Sequence, residues 1–288
     1  MGFWREMFEE YTDSLGDSNQ GYWISFFAYN IGKTMKIGIV TYGTLTALDS
    51  GINALKRKFP QADISVINNK PGDATVNQIQ GNNNNFEFGA YLDLVKLWSS
   101  PEQNLGVTPN GIGPFLIVND TLFQTHYTKG WLDMVGRSIA NCPTEKVAVY
   151  GDIRRDGSSL EERPDPFLAS WFFLLPNQLA LSQFGLSLEH LLAESPPELS
   201  RGYIDFIENW LQPKSMWRGW QGVLNPLAKD RKTRCIYLEH RLSKLMPINN
   251  LPIMSIGEFG VNQYITLRVM DRIRTRIKAW MGYFNRID

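Results

Sequence analysis

The stretch KIGIVTYGTLTALDSGINALKRKFPQADISVI, residues 36–67, contains two short β-branched runs on either side of a segment with helical periodicity. The first run, Lys36–Tyr42, ends at a glycine, and the second, Ile64–Ile67, ends at a pair of asparagines. Between them, apolar residues recur at helical spacing over Leu48–Phe59. A strand, a helix and a second strand in this order predict a β-α-β unit, and the crossover implies that its strands are parallel.

The same reasoning predicts the remaining elements of an α/β domain. Short apolar runs bounded by turn residues are typical of buried strands, whereas apolar residues at helical spacing predict helices. The asparagine-rich and glycine-rich residues 70–85 and the charged residues 151–165 are predicted to be loops, and residues 212–235 receive no assignment. The predicted helices are Ala90–Trp98, 177–193 and 198–211, and the predicted strands are Phe115–Val118, Lys146–Tyr150 and Ala169–Leu175.

We divide the chain into three parts on this pattern. Residues 1–35 place apolar side chains at helical spacing and are expected to form a helical segment that packs on the core. Residues 36–245 are predicted to form the α/β domain, with a mostly parallel central sheet. Residues 246–288 are predicted to form a C-terminal amphipathic helical segment. A chain of 288 residues is long enough to bury one large core.

Charge and composition argue against several classes of protein. Lysine plus arginine equals aspartate plus glutamate at 29 each, so no net charge attracts nucleic acid, and no nucleic-acid partner is expected. Two cysteines are too few for a disulfide framework and favour a reducing compartment. Residues 1–20 do not resemble a signal peptide, and no apolar run reaches the roughly 18–20 residues that span a bilayer. We therefore expect a cytoplasmic protein, either soluble or peripheral at the membrane.

Asn119 and Asp120 directly follow the predicted strand Phe115–Val118. The carboxyl end of a strand in an open α/β sheet is where ligands bind. A carboxylate at that place can hold Mg²⁺ or Mn²⁺, which prefer oxygen ligands and bridge the phosphates of a nucleotide. In the alternative interpretation, the pair caps a helix that starts near Leu122.

A second candidate segment is Asn82–Tyr91 (NNNNFEFGAY), where an asparagine-rich loop meets two aromatic residues, an acid and a glycine. Glu87 is suited to bind a ribose or sugar hydroxyl, and Gly89 to let the backbone approach a ligand closely. In the alternative interpretation, Phe86 and Phe88 belong to the core and the asparagines form a solvated turn. The pattern by itself favours neither interpretation.

The two segments together resemble the glycosyltransferases of the rhamnan-synthesis F type. That family shows a series of Asn, Gly, Tyr, Asp, Phe, Gly and Ala, and then a buried strand that ends in Asn-Asp-Ser or Asn-Asp-Thr. The matching segments here are FEFGAYLDLVKLW and FLIVNDTLF, and Leu238–Ser243 (LEHRLS) is similar to the family's Glu-x-x-Leu-Ser segment. The resemblance covers residues 36–245. The chain departs from the pattern at Glu87, where the family has Asp, at Asn84 or Asn85, where it has Gly, and in having no plain Asp-x-Asp.

The resemblance implies a GT-A fold, in which a Rossmann-like nucleotide-binding half and an acceptor-binding half share one sheet. It implies transfer of a sugar, with inversion, from a nucleoside diphosphate sugar to a hydroxyl of a glycan or lipid-linked glycan in polysaccharide biosynthesis. It assigns Asp120 to a divalent metal, Mn²⁺ or Mg²⁺, and to the donor diphosphate. The donor-binding residues expected on this basis are Tyr42, Asn69, Glu87, Gly89, Asn119 and Asp120.

An inverting transferase needs a base that removes the proton of the acceptor hydroxyl, and a carboxylate is the usual choice. Glu239, in the LEHRLS segment, is the first candidate, and Asp152, after the predicted strand Lys146–Tyr150, is the second. In the alternative interpretation, Glu239 is an acid on a helix surface that pairs with Arg241 or Lys244.

Residues 266–288 combine an apolar stripe with an excess of basic residues. A basic amphipathic helix suits an anionic membrane surface, where a lipid-linked acceptor resides. In the alternative interpretation, the stripe packs on the core. The stripe consists of Met270, Ile273, Ile277, Trp280, Met281, Phe284 and Ile287.

Two other functions stay open at this point. If this protein kept the fold of the family but lost the base, it would be a non-catalytic sugar-binding or nucleotide-binding scaffold. A nucleic-acid-binding module would use the tryptophans and arginines of residues 216–234, and the neutral overall charge counts against it.

Overall fold

A computed structural model of the chain describes most of the predicted domain. The helical segment predicted over residues 1–35 lies outside the described residues, apart from the last two, which begin the first strand. The described residues are 34–43, 46–75, 78–83, 85–100, 112–124, 126, 128–155, 160–195, 198–212 and 226–284.

A seven-stranded sheet forms the centre of the fold, together with a two-stranded antiparallel ribbon. The strands are β1 Thr34–Thr41, β2 Asp63–Asn68, β3 Ile79–Gln80, β4 Ile112–Asn119, β5 Val149–Gly151, β6 Ile153–Arg154, β7 Phe167–Leu168, β8 Phe172–Leu175 and β9 Ile253–Ser255. Their order across the sheet is β3-β2-β1-β4-β8-β5-β9, and β6 and β7 form the ribbon.

Helices connect and cover these strands. The helices are α1 Thr46–Lys58, α2 Glu87–Ser99, α3 Thr121–Gln124, α4 Thr128–Asn141, α5 Gln178–Ala193, α6 Arg201–Leu211, α7 Pro226–Ile248 and α8 Val261–Phe284, with a 3₁₀ turn at Ile256–Phe259. One face of the sheet packs on α2, α5, α6 and α7 in a single apolar cluster.

The predicted β-α-β unit is confirmed, and it forms the parallel half of the sheet. β1 pairs in parallel with β2 on one side and with β4 on the other, so that β4 is a central strand as predicted. The chain builds outward from β1 through β2 to β3 and then returns to the other side of β1. A sheet that reverses its direction of growth in this way has a crevice at the carboxyl ends of the two strands at the switch. Here those strands are β1 and β4.

The other half of the sheet is mixed. β8 runs antiparallel to both β4 and β5, and β5 is parallel to β9. The strands predicted at Lys146–Tyr150 and Ala169–Leu175 are both present but shorter, because residues 169–171 form a turn ahead of β8. The prediction of an α/β fold with a mostly parallel central sheet is confirmed at that level.

α2 begins three residues earlier than the sequence predicted, at Glu87. Gly89 is therefore buried in the first helical turn and does not lie in a loop. α2 packs directly on β1 at Gly38, where an added Cβ would stand 2.4 Å from a Leu94 methyl carbon and 2.8 Å from the Trp98 ring. Any larger residue at position 38 would push the helix away from the strand.

The C-terminal region contributes to the same sheet. β9 lies beyond the domain boundary predicted at residue 245, and α7 runs across that boundary to Ile248. α8 follows, and none of the described helices is both long enough and apolar enough to cross a membrane.

Candidate functional site

Asp120 lies at the switch point, directly after β4. Its Oδ2 accepts hydrogen bonds from the backbone N–H of Tyr42, at 3.3 Å, and from the Thr41 hydroxyl, at 3.4 Å. Burial raises the pKa of Asp120, and these two hydrogen bonds partly offset the increase. The carboxylate is thus held at the carboxyl ends of both β1 and β4, as the sequence predicted from its position after the strand.

Asn119 is mainly a positioning residue. Its amide nitrogen donates to the Tyr91 hydroxyl, at 3.1 Å, and its Oδ1 accepts from the backbone N–H of Thr121 at the start of α3, at 3.1 Å. The Tyr91 hydroxyl in turn donates to the carbonyl of Ser170 at 2.7 Å. Asn119 thus binds the first N–H of α3, as the capping interpretation expected of the pair, whereas the Asp120 carboxylate is directed to Thr41 and Tyr42. Asn119 also links β4 to the turn before β8.

Two asparagines at the end of β2 hold the neighbouring loops. Oδ1 of Asn68 accepts from the backbone N–H groups of Gly43 and Lys70, each at 3.0 Å. Asn69 donates to the carbonyl of Phe86, at 2.8 Å, and to the Tyr42 hydroxyl, at 3.4 Å. Asn69 and Tyr42, two of the predicted donor-binding residues, are thus in contact with each other.

The segment before α2 has an unusual backbone. Asn83, Asn85 and Phe86 have φ values of 54°, 55° and 59°. These values lie in the left-handed region, which residues other than glycine seldom adopt. Such conformations persist where the surrounding contacts hold them, and they are concentrated at binding and catalytic sites.

An arginine that the sequence analysis did not single out lies over this segment. The Arg231 guanidinium carbon is 5.2 Å from the centroid of the Tyr42 ring and 5.2 Å from that of the Phe86 ring. Both contacts are within the distance of a cation–π interaction. Arg231 belongs to α7, so this helix extends to the carboxyl ends of the parallel strands.

Glu87 and Glu239 contact the same residue, Ser170. The backbone N–H of Ser170 donates to Oε1 of Glu239 at 2.6 Å, and its hydroxyl donates to Oε1 of Glu87 at 3.4 Å. Burial raises the pKa of Glu87, and the nearby charge of Glu239 adds to the increase, while Lys232 acts in the opposite direction. The structure therefore brings a predicted donor-binding acid and the first candidate base together.

The predicted alternative, an ion pair of Glu239 with Arg241 or Lys244, is not formed among the described residues. Arg241 forms a two-pronged ion pair with Glu194, at 2.6 and 2.7 Å. Glu239 is instead directed to the turn before β8, through its hydrogen bond with the Ser170 backbone. It is half-buried at this position on α7.

Asp152, the second candidate base, has a different environment. It is fully buried and its two oxygens are bound by charged and polar donors. Burial by itself raises the pKa of this carboxyl, but the two arginines outweigh it and lower the pKa below its ordinary value. A carboxylate stabilised in this way is a weak base. Its donors are Arg154 (2.9 Å), Arg268 (2.7 Å to each oxygen), Tyr264 (2.9 Å) and Trp171 (3.2 Å).

The fit of a divalent metal rests on Asp120. Among the described residues, no group of three or more His, Cys, Asp or Glu side chains is arranged to hold a metal ion. Mg²⁺ is commonly held by one or two carboxylates together with the phosphates of a substrate. Asp120 therefore fits a metal that is shared with a bound diphosphate, and the described side chains do not fit a metal held by protein alone.

Sequence reasoning missed Arg231, Lys232 and Ser170. The first two lie in the stretch that received no assignment, and the third lies in a predicted strand. The available signal was the cluster of basic residues in the segment KDRKTRC, residues 229–235, which places basic side chains on the α7 turns that face the site.

The chain matches no family model, and neither a curated protein nor a solved structure shows significant similarity to it.

Proposed function

We propose that the protein is a glycosyltransferase that uses a nucleoside diphosphate sugar as its donor. The observation that carries the proposal is the convergence of Asp120, Tyr42 and Arg231 at the switch point of the sheet, beside the carboxylates of Glu87 and Glu239. This site combines groups suited to a diphosphate with a carboxylate suited to an acceptor hydroxyl.

The GT-A type of fold is part of this proposal. Four strands, β3-β2-β1-β4, form a parallel half, and β8 introduces a second half with mixed directions in the same sheet. This arrangement agrees with a donor-binding half and an acceptor-binding half that share one sheet. On this basis the donor lies over the carboxyl ends of β1, β2 and β4.

The donor contacts follow from the positions of the side chains. Tyr42 follows β1 and Asn69 follows β2, so the nucleoside would bind at the carboxyl ends of these two strands, and Asp120 faces the diphosphate. When bound, Mg²⁺ or Mn²⁺ supplies positive charge that stabilises the leaving diphosphate, and Asp120 would hold it. Glu87 and Glu239 both contact Ser170, so the Glu87 carboxylate lies beside the proposed base and is suited to accept a hydrogen bond from a hydroxyl of the donor sugar.

Glu239 is the proposed base. The acceptor oxygen forms a bond to the anomeric carbon, the bond from that carbon to the diphosphate oxygen breaks, and the acceptor proton passes to the Glu239 carboxylate. The Ser170 backbone N–H fixes the orientation of this carboxylate. Asp152 does not compete well for this role because its arginine and aromatic partners already use its oxygens.

We also propose that the acceptor is a glycan or a lipid-linked glycan and that α8 holds the enzyme at the cytosolic face of an anionic membrane. The predicted stripe is corrected in part: Ile273 and Ile277 are exposed and do not pack on the core, Met270 is half-buried, and the remaining members lie outside the described side chains. The exposed row is made of Val261, Ile265, Val269, Ile273 and Ile277.

The charge around this row suits anionic lipid. Arg272 and Arg274 are exposed beside it, and the one acid in residues 261–277, Asp271, is buried against His126. Each basic residue near an anionic surface contributes about 1 kcal/mol to attachment.

A ligand screen tests the proposed activity. Thermal unfolding is measured with uridine, guanosine, thymidine and adenosine diphosphates, each with Mn²⁺ or with EDTA, and donor consumption is then measured with the matching sugar nucleotides. A ligand at 100 times its Kd stabilises the native state by about 2.7 kcal/mol, so one nucleoside diphosphate is expected to raise Tm clearly above the others. If none does, the proposed function is wrong. Binding without transfer or hydrolysis would favour the scaffold function instead.

A further inference from the structure

Arg231 lies at the mouth of the proposed donor site. Its guanidinium lies against the rings of Tyr42, which follows β1, and Phe86, which precedes α2. The two rings are held together because Asn69 donates hydrogen bonds to the Tyr42 hydroxyl and to the Phe86 carbonyl. A guanidinium that stacks on aromatic faces keeps its N–H donors directed outward at its edges.

Arg231 has no acidic ion-pair partner among the described residues. No carboxylate in the described part of the chain forms a salt bridge with it, whereas Arg154 and Arg268 pair with Asp152 and Arg241 pairs with Glu194. Arg231 is also solvent-exposed. An exposed arginine whose guanidinium packs on aromatic rings is suited to bind a phosphate through two parallel hydrogen bonds.

The position of Arg231 relative to Asp120 points to the same ligand. The ring beneath the guanidinium belongs to Tyr42, whose backbone N–H donates to the Asp120 carboxylate. Burial raises the pKa of Glu87, and the charge of Lys232, the next residue along α7, partly offsets the increase, which adds positive charge near that carboxylate. The switch point thus carries a carboxylate suited to a metal and a guanidinium suited to phosphate oxygens.

We infer that Arg231, stacked between Tyr42 and Phe86, binds the diphosphate of the donor and stabilises the negative charge that develops on the leaving diphosphate. This inference rests on the proposed function and specifies how the diphosphate is recognised. When the bond between the anomeric carbon and the diphosphate oxygen breaks, the electron pair stays on that oxygen, and the guanidinium N–H groups stabilise it without transferring a proton. Donor binding therefore persists in part without a divalent metal.

The contacts of Arg231 with the two aromatic rings predict the effects of two further substitutions. Arg231→Lys keeps the charge but loses the planar, two-pronged geometry and the stacking, so its affinity is expected to lie between those of the wild type and Arg231→Ala. Phe86→Leu keeps the apolar volume but removes one ring. It is expected to weaken diphosphate binding by a factor of about three to ten, because Arg231 is then less well ordered.

The test is isothermal titration calorimetry of the full chain with the nucleoside diphosphate that stabilises it most. The titration is carried out once in EDTA and once in Mn²⁺. Arg231→Ala is expected to raise Kd at least tenfold in EDTA and by a smaller factor in Mn²⁺, where the metal carries part of the charge. Arg272→Ala, which removes an exposed arginine of α8, is the matched control and should leave Kd unchanged. Circular dichroism and Tm confirm folding, and Arg231→Lys provides the measurement if Arg231→Ala lowers Tm.

The outcomes separate the two proposals. If the wild type binds the diphosphate but Arg231→Ala and Arg231→Lys bind it equally well in EDTA, the inference about Arg231 is wrong and the proposed function stands. If wild-type binding disappears entirely in EDTA, the inference is also wrong, because the metal alone then carries the diphosphate. If the wild type binds no nucleoside diphosphate in either condition, both proposals are wrong.

Discussion

Replacing Asp152 by asparagine separates a structural role for this residue from a catalytic one. The substitution keeps the size of the side chain but removes the charge that Arg154 and Arg268 face. We expect a clear loss of stability, while each folded molecule keeps most of its activity.

The expected loss follows from the burial of the three charged groups. Removing one member of a buried ion pair costs about 3–5 kcal/mol, because it leaves the partner charge without compensation. Asp152 is fully buried, but the side chains of Arg154 and Arg268 are 34% and 26% exposed and keep part of their hydration. The lower end of the range therefore applies, about 3 kcal/mol, which corresponds to a decrease in Tm of about 6–12 °C for a chain of this size.

The assay is thermal unfolding of the wild type and of two variants. Asp205→Asn is the matched control, since Asp205 is 50% exposed and pairs with Arg201, whose side chain is 82% exposed. Surface pairs contribute about 0–1 kcal/mol, so this variant should unfold within about 3 °C of the wild type. A Tm of Asp152→Asn equal to that of Asp205→Asn would refute the structural role. Normal stability with loss of turnover would make Asp152 the base in place of Glu239.

The pH dependence adds an independent check. The pKa of Asp152 is lowered from its ordinary value of 3.8, so its stabilising contribution is complete above that value and is lost as the pH falls through the lower pKa of the folded state. The difference in Tm between the wild type and Asp152→Asn should be constant between about pH 5 and 8 and should shrink below about pH 4.

Three further predictions concern the proposed activity. Glu239→Gln should bind the donor as the wild type does but reduce turnover at least 100-fold, because an amide cannot accept the acceptor proton, and normal turnover in steady-state assays would contradict this. Asp120→Asn should leave Tm within about 3 °C of the wild type but remove most of the gain in nucleoside diphosphate affinity that Mn²⁺ provides. Calorimetry measures this gain, and an unchanged gain would rule out Asp120 as the metal ligand. Ile265→Glu combined with Ile273→Glu should abolish sedimentation with anionic vesicles at low salt, whereas Thr266→Glu, also exposed on α8, should reduce it only slightly. Equal sedimentation of both variants would place the attachment elsewhere.

The parallel half of the fold was predictable because its signals are local. β1, α1, β2 and β4 each have a continuous apolar or periodic pattern that ends at a polar or glycine residue, and Asp120 was found from its place directly after such a strand. A strand that is buried on both faces is a short continuous apolar run in the sequence, so the neighbouring residues are enough to recognise it.

The start of α2 was not predictable by the same means. Its N-cap is Phe86, which has a left-handed backbone and makes no capping hydrogen bond with its side chain. Helix starts are usually recognised by Ser, Thr, Asp or Asn at this position, and none of these is present there. The amide of Asn69, far away in the sequence, holds the Phe86 carbonyl instead.

The sequence could not predict which residues form the site together, because segments that are far apart in the chain bring them into contact. Glu239 was selected from a resemblance, but its link to Glu87 passes through Ser170, and the three residues belong to α7, α2 and the turn before β8. Arg231 acquires its position from two rings that lie about 145 and 189 residues earlier in the chain. Contacts at such separations leave no periodic trace in the sequence.

The turn formed by residues 169–171 has a consequence for how this protein can be recombined with relatives. The Trp171 carbonyl accepts from the Asn119 backbone, the Ser170 carbonyl accepts from Tyr91, and the Ser170 N–H holds Glu239. Three chain segments therefore meet at one turn, and the two halves of the sheet are not exchangeable cassettes. A chimera that joins residues 34–124 of this chain to the second half of another protein needs a matching turn. Without it, Glu87 and Glu239 lose their hydrogen bonds with Ser170.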